Sequence, residues 1–194
     1  MRLIIRNFIR IFQRFRLAMA LNILGLSIAF VAFMLLTMQW TYDREFDTHD
    51  PNADYIYRVN VDDGEERGEM AIVSRPLAEA IDQSSPHILA GCILNTSSSE
   101  QAFTIGEEEN QPSFSYEKIS VSPSITKVFH FEMKEGDADA LEIDNNVLVP
   151  ESFARLWFPD KPATGQTITT YGTHYKIGGV YKDFPENNTL KNVI

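Results

Sequence analysis

The chain has 194 residues, 44% of them hydrophobic, with 27 acidic against 17 basic residues and a formal net charge of −10 at pH 7. That length fits one domain or two small ones beside an anchor, and the acidic balance argues against nucleic acid as a partner. A single cysteine, Cys92, excludes an intramolecular disulfide.

Residues 1 to 16 carry Arg2, Arg6, Arg10, Arg14 and Arg16 and no acid. Arginines recurring every four residues among Ile4, Ile5, Phe8, Ile9, Ile11, Phe12 and Phe15 predict a short amphipathic helix lying in a membrane interface, seated by Arg6, Arg10 and Arg14. The alternative is an unstructured basic flank that only sets topology.

Leu17 to Met38 is a run of 22 residues without a charge. A helix of that length covers the roughly 30 Å hydrocarbon core of a bilayer. A membrane helix is therefore predicted over 17–41, with Trp40 and Tyr42 as the amphipathic aromatics of the headgroup layer. A buried helix of a soluble protein rarely stays uncharged for so long. A cleaved signal peptide needs a shorter apolar core and a small-residue cleavage site, where this chain has Gln-Trp-Thr-Tyr. Gly25 and Ala29 form a small-xxx-small pair that would let other membrane helices pack closely.

The charge then changes sign. Asp43, Glu45, Asp47 and Asp50 stand against Arg44 alone, and setting aside the five N-terminal arginines leaves 12 basic and 27 acidic residues, a net of −15. The positive-inside rule accordingly places the N-terminus in the cytoplasm and everything after Trp40 outside it. Asp43, Phe46 and Asp47 are the expected helix-to-domain junction.

From residue 42 to 194 an α+β extracytoplasmic domain is expected. Strand-like runs occur at 55–61, 87–94, 102–106, 114–122, 147–150, 166–170 and 175–181, several with period-two alternation. Helical stretches are expected in "SRPLAEAIDQ", with Ser74 at its N-cap, in "SPSITKVF" and in "PESFARLWF". The order does not alternate regularly, which points to α+β and not to a doubly wound sheet. "DDGEERG", "GEEENQP" and "YGTH" read as turns, and Gly178 with Gly179 inside a strand pattern reads as a bulge or a close backbone approach.

Motifs for chemistry are missing. The four histidines, His49, His87, His130 and His174, lack metal-ligand spacing, and there is no GxxxxGK[ST], GxGxxG or GxSxG. No enzyme, metal site or cofactor is expected. Glu107 to Glu109 read as a solvated loop tip, and Cys92, within "ILAGCILN", as a small buried hydrophobe.

Taken in order, "NILGLSIAFVAFMLL", "YDREFD", "ADYIYRVN", "SRPLAEAI", "VSPSITKVFHFEMKEGDADAL", "VLVPESFARLWFPDKPATGQTI" and "YKIGGVYKDFPENNTLK" resemble the N-terminal portion of MacB/FtsX-like ABC transporter permeases, in the form common in Bacteroidota. The resemblance covers the whole chain, and its most specific pieces are the "YDREFD" to "YRV" junction and the run from "VFHFEMKEGD" to "GVYKDFPENN". It implies an elbow helix, a first membrane helix and a MacB-like periplasmic core domain in the inner membrane of the cell. It also implies a separate or fused ABC ATPase partner that binds the ATP, a homo- or heterodimer of permeases, and mechanotransmission acting on substrates such as peptides, antibiotics or lipoproteins at the outer side. The family pattern carries three further membrane helices and a cytoplasmic loop, so the chain reads as an N-terminal permease fragment. The competing reading is a single-span anchored sensor or binding module.

Overall fold

The computed structural model describes residues 14–62, 64, 68–106 and 113–194. Arg6, Arg10 and most of the expected interfacial helix lie outside the described residues, as do Glu107 to Glu109. The chain divides into two compact units, residues 1–46 and 47–194.

Among its described residues the first unit holds a long helix, α1 (Arg16–Arg44), of 29 residues, or about 44 Å at 1.5 Å per residue. Its apolar side chains run around the whole circumference, and none of its residues is buried. It is long and apolar enough to cross a membrane. Arg14 places its guanidinium 5.7 Å from the Phe15 ring.

The second unit begins with a 3-10 turn (Ala53–Tyr55), followed by a small antiparallel hairpin of β1 (Val61–Asp62) and β2 (Glu69–Met70), then α2 (Arg75–Asp82). The remainder is a six-stranded sheet of β3 (Leu94–Ile105), β4 (Ser113–Val121), β5 (Met133–Gly136), β6 (Asn146–Pro150), β7 (Thr167–Thr170) and β8 (Thr173–Tyr181). Short helices α3 (Ile125–Val128) and α4 (Glu151–Trp157) and a 3-10 turn (Ala138–Glu142) connect the strands. The class is α+β.

β8 organises the sheet. Lys176 is opposite both Asn146 of β6 and Thr167 of β7, and Tyr181 is opposite both Pro150 of β6 and Met133 of β5. β6 therefore occupies one edge of β8 in parallel, while β7 and β5 follow one another along the other edge. β3 joins through β7, and β4 closes the far side by pairing Phe114 with Phe103. The parallel pair needs a crossover, which α4 and β7 supply.

One face of this sheet packs on α4. Phe114 stacks on Trp157 at 4.2 Å and lies 5.7 Å from Phe103 and 5.4 Å from Phe153. Val149, Ile168, Ile177 and Val180 complete a dry core. Gly178 bulges out of the β6 pairing, and a Cβ there would meet Ala140 Cβ at 2.4 Å. At Gly136, φ is +68° and a Cβ would sit 2.2 Å from the Gly178 carbonyl oxygen, so only glycine fits. Both the bulge and the close approach expected at this pair are present.

Two expectations, both of strands, fail. The stretch 55–61 is extended but joins a ladder only at Val61, and Tyr55 and Tyr57 are 81% and 84% exposed. Residues 87–94 enter a strand only at Leu94; on the way Ser124 Oγ donates to the Gly91 carbonyl and Ile93 N to Ser122 Oγ. Alternating apolar residues favour an extended backbone, but a strand needs a neighbour, and among the described residues only Val61 and Leu94 of these stretches pair with one. Ser74 occupies the N-cap position of α2, yet its side chain makes no capping bond.

Candidate functional site at the start of the domain

The first residues of the second unit are held by residues far ahead in sequence. Asp47 has φ +58°, a left-handed conformation that Asp tolerates better than most residues. Its backbone N–H donates to the Asn187 carbonyl at 3.0 Å. Its carboxylate accepts from Thr189 twice, from the backbone N–H at 2.7 Å and from the hydroxyl. Two residues on, His49 Nε2 shares a hydrogen bond with the Asn188 side-chain amide at 2.9 Å, and its ring lies 6.2 Å from that of Phe184.

Asp50 is buried at 9% exposure, and both carboxylate oxygens are satisfied by backbone amides: His130 N at 2.9 Å and Asn52 N at 2.8 Å. A buried carboxylate needs such partners, and two N–H donors meet the requirement. Asn52 Nδ2 reaches the Val128 carbonyl at 3.4 Å. Residues 47–52 are thus fixed to segments 128–130 and 187–189.

Segment 187–194 continues from this attachment into the sheet. Asn188 Oδ1 caps Leu190 N at 3.0 Å, and Asn192 brackets Phe184 by accepting from its N–H at 2.7 Å and donating to its carbonyl at 3.0 Å. The Tyr181 hydroxyl accepts from Val193 N and donates to Val193 O. Ile194 N donates to Glu117 O, and Ile119 N donates to Ile194 O, which places Ile194 beside the outer edge of β4. The segment is a strap between the start of the domain and two strands of its sheet. It also borders an open groove of about 370 Å³, walled further by Ile119, Leu148 and Tyr181.

The other sequence-derived candidates fall on α1 or at its end. The Asp43 carboxylate accepts from Gln39 Nε2 one turn back at 2.8 Å. The Arg44 guanidinium lies 5.3 Å from the Trp40 ring, and Tyr42 meets Phe46 edge-on at 6.3 Å. Nothing lies within 4 Å of a Cβ built on Gly25. Ala29 is exposed in the isolated helix.

Among the described residues no group of three or more His, Cys, Asp or Glu is placed to hold a metal. Cys92 is half-buried, and burial pushes its thiol up to about 11, which leaves little thiolate at neutral pH. His49, Asp50, Asn187, Asn188 and Thr189 were not singled out from the sequence. The signal for all but Thr189 lay in the resemblance, whose two most specific pieces, the "YDREFD" to "YRV" junction and the run from "VFHFEMKEGD" to "GVYKDFPENN", meet here through Asp47 and Asn187.

Residues 18–193 match the MacB-like periplasmic core domain family, a match that takes in most of α1 as well as the sheet. The chain belongs to that family. No curated protein matches it. Among solved structures, a domain described as part of a permease protein from Porphyromonas gingivalis aligns at 22% identity and a TM-score of 0.52, over 63% of this chain and 56% of the other. The periplasmic region of MacB from Actinobacillus actinomycetemcomitans aligns at 18% identity with a TM-score of 0.44, over 57% and 50%. The extracellular domain of the ABC-type transporter YknZ from Gram-positive bacteria aligns at 16% and 0.35, over 44% and 47%. This MacB-like chain spans about half the length of the solved domains it matches.

Proposed function

We infer that the chain is a noncatalytic permease subunit of an ABC-type export or mechanotransmission complex. In this reading α1 is the first membrane helix, its N-terminus is cytoplasmic, and the sheet domain stands outside the inner membrane. An ABC ATPase binds and hydrolyses ATP on the cytoplasmic side, and the permease, paired with a second permease, moves its extracytoplasmic domain in response. The carrying observation is that one family match runs unbroken from within α1 to Val193, so the helix and the domain are inherited together.

Arg6, Arg10 and Arg14 would seat the cytoplasmic flank at the interface, Trp40 and Tyr42 would sit at the opposite headgroup layer, and Gly25 with Ala29 would receive other membrane helices. Asp43, Phe46 and Asp47 would pass motion from helix to domain. The test is to tag the N-terminus in the native cell, extract the membranes in mild detergent and identify what co-purifies. Recovery of an ABC ATPase with further permease polypeptide is the expected result. Recovery of the chain alone would overturn the reading and leave an anchored binding module.

A further inference from the structure

The two ends of the 187–194 strap differ in how firmly they are held. At the far end Leu190, Val193 and Ile194 are buried, each at 6% exposure, and the Tyr181 hydroxyl bonded to Val193 is buried with them. At the near end Thr189 is exposed and Asp47 half-exposed, so the bonds between them compete with water. Hydrogen bonds made in water contribute far less than the same bonds in a dry core. Burial is not uniform along the strap: Asn187 and Asn188 are half-buried, and Lys191 is exposed between the buried Leu190 and the buried Val193.

We propose that Asp47 is a releasable clasp: its carboxylate lets go of Thr189, and with the backbone bond from Asp47 N–H to the Asn187 carbonyl opening alongside it the near end of the strap comes free, while residues 190–194 stay docked on β8 and β4. His49 and Asn188 form a second bond that opens with it. A clasp of this kind makes the first residue of the domain a two-position element, of which the structure shows the closed position. Closed, a displacement of residue 47 is carried along the strap to Tyr181 and to the edge of β4; open, it is not. That use of the clasp as a gate on coupling rests on the permease reading, whereas the opening of the clasp is a property of this chain alone.

The test is amide hydrogen exchange on the full chain in lipid nanodiscs, comparing the parent with Asp47→Gly and Asp47→Asn. Glycine removes the carboxylate and adopts φ +58° without strain, so the variant keeps the backbone path. Asparagine also tolerates this conformation and keeps one acceptor oxygen for Thr189 N while losing the charge. The expected result is exchange at Thr189 roughly ten-fold faster in Asp47→Gly and between the two in Asp47→Asn, with Ile119, Val193 and Ile194 unchanged throughout. Acceleration of Val193 and Ile194 together with Thr189 would mean that the strap leaves as one piece and would overturn the proposal, as would an unchanged Thr189. The gating role is read separately, in the purified complex with its ATPase. There, Thr189 exchange that differs between nucleotide-free and ATP-bound states is expected, and identical exchange would overturn gating. Failure to recover any ATPase would instead sink the permease reading, leaving the clasp result intact.

Discussion

The Tyr181 hydroxyl both accepts from the Val193 amide, at 3.0 Å, and donates to the Val193 carbonyl, at 2.8 Å. One side-chain oxygen therefore satisfies both backbone groups of a buried residue, in place of the neighbouring strand that would otherwise do so. Tyr181→Phe keeps the ring but leaves the Val193 N–H and C=O without partners. The expected cost is about 1 to 3 kcal/mol, read as a lower urea midpoint in detergent, and the Ile194 amide should lose protection. An unchanged midpoint would show that water replaces the hydroxyl.

Burial also sets the alkaline limit of stability. It raises the Tyr181 phenol well above its ordinary range, and it raises the Cys92 thiol from its ordinary 9.0 to about 11. Both groups hold their protons more firmly in the folded than in the unfolded chain. Their contribution is complete below the unfolded values, near 9 for the thiol and 10 for the phenol, and is lost as pH rises beyond them. The unfolding midpoint should be flat from pH 7 to 8.5 and decline from pH 9 to 11. Tyr181→Phe should flatten the upper part of that decline; a decline of equal slope in the variant would assign it elsewhere.

Phe114 is the centre of the aromatic stack, touching Phe103, Phe153 and Trp157 at 6% exposure. Phe114→Ala should destabilise the domain by about 3 to 5 kcal/mol through lost burial and the cavity left behind. The same substitution at Phe46, 42% exposed, should cost far less. Near-ultraviolet circular dichroism, which reports the Trp157 environment, and chemical denaturation together check the difference.

The β7–β8 hairpin turns through Tyr171 and Gly172, with φ +48° and +74°. Positive φ at both central residues is the demand of a type I′ turn, which Asn-Gly meets far better than Tyr-Gly. Tyr171 is 85% exposed, so little packing is lost by replacing it. Tyr171→Asn is expected to raise stability by about 0.5 to 1 kcal/mol through relief of left-handed strain. A fall in the unfolding midpoint would show that the exposed ring has a partner of its own.

No atom outside its own helix lies within 4 Å of the site a Gly25 Cβ would take. Gly25→Leu should therefore leave the unfolding midpoint of the sheet domain unchanged. If the Gly25 face receives other membrane helices, the same variant should lower the yield of co-purified permease partner several-fold. Equal yield would remove this face from the packing surface.

Legibility followed range. α1 was plain because an uncharged run reports directly on its solvent, and β6, α4, β7 and β8 were plain because local alternation and helix periodicity agree with the final packing. Tyr55–Val61 and His87–Leu94 misled for the converse reason: their alternation is real, but pairing is a property of two segments, and among the described residues only Val61 and Leu94 of these stretches pair with a second strand. At the junction, Asp47 could be singled out because it follows the apolar run. Thr189 could not, since an Asn-Asn-Thr sequence after a proline is ordinary loop chemistry until its partner is known.

The bond between Asp47 and Thr189 spans 142 positions of sequence, which sets an order of events during synthesis. The aspartate is made and delivered just behind the helix, whereas the threonine follows only after every strand of the sheet has been produced. Closing so long a loop cannot precede collapse of the sheet, because only the folded β8 and β4 bring residues 187–194 into reach. The contact between Asp47 and Thr189 therefore follows the pairing of the strands that bring its two ends together.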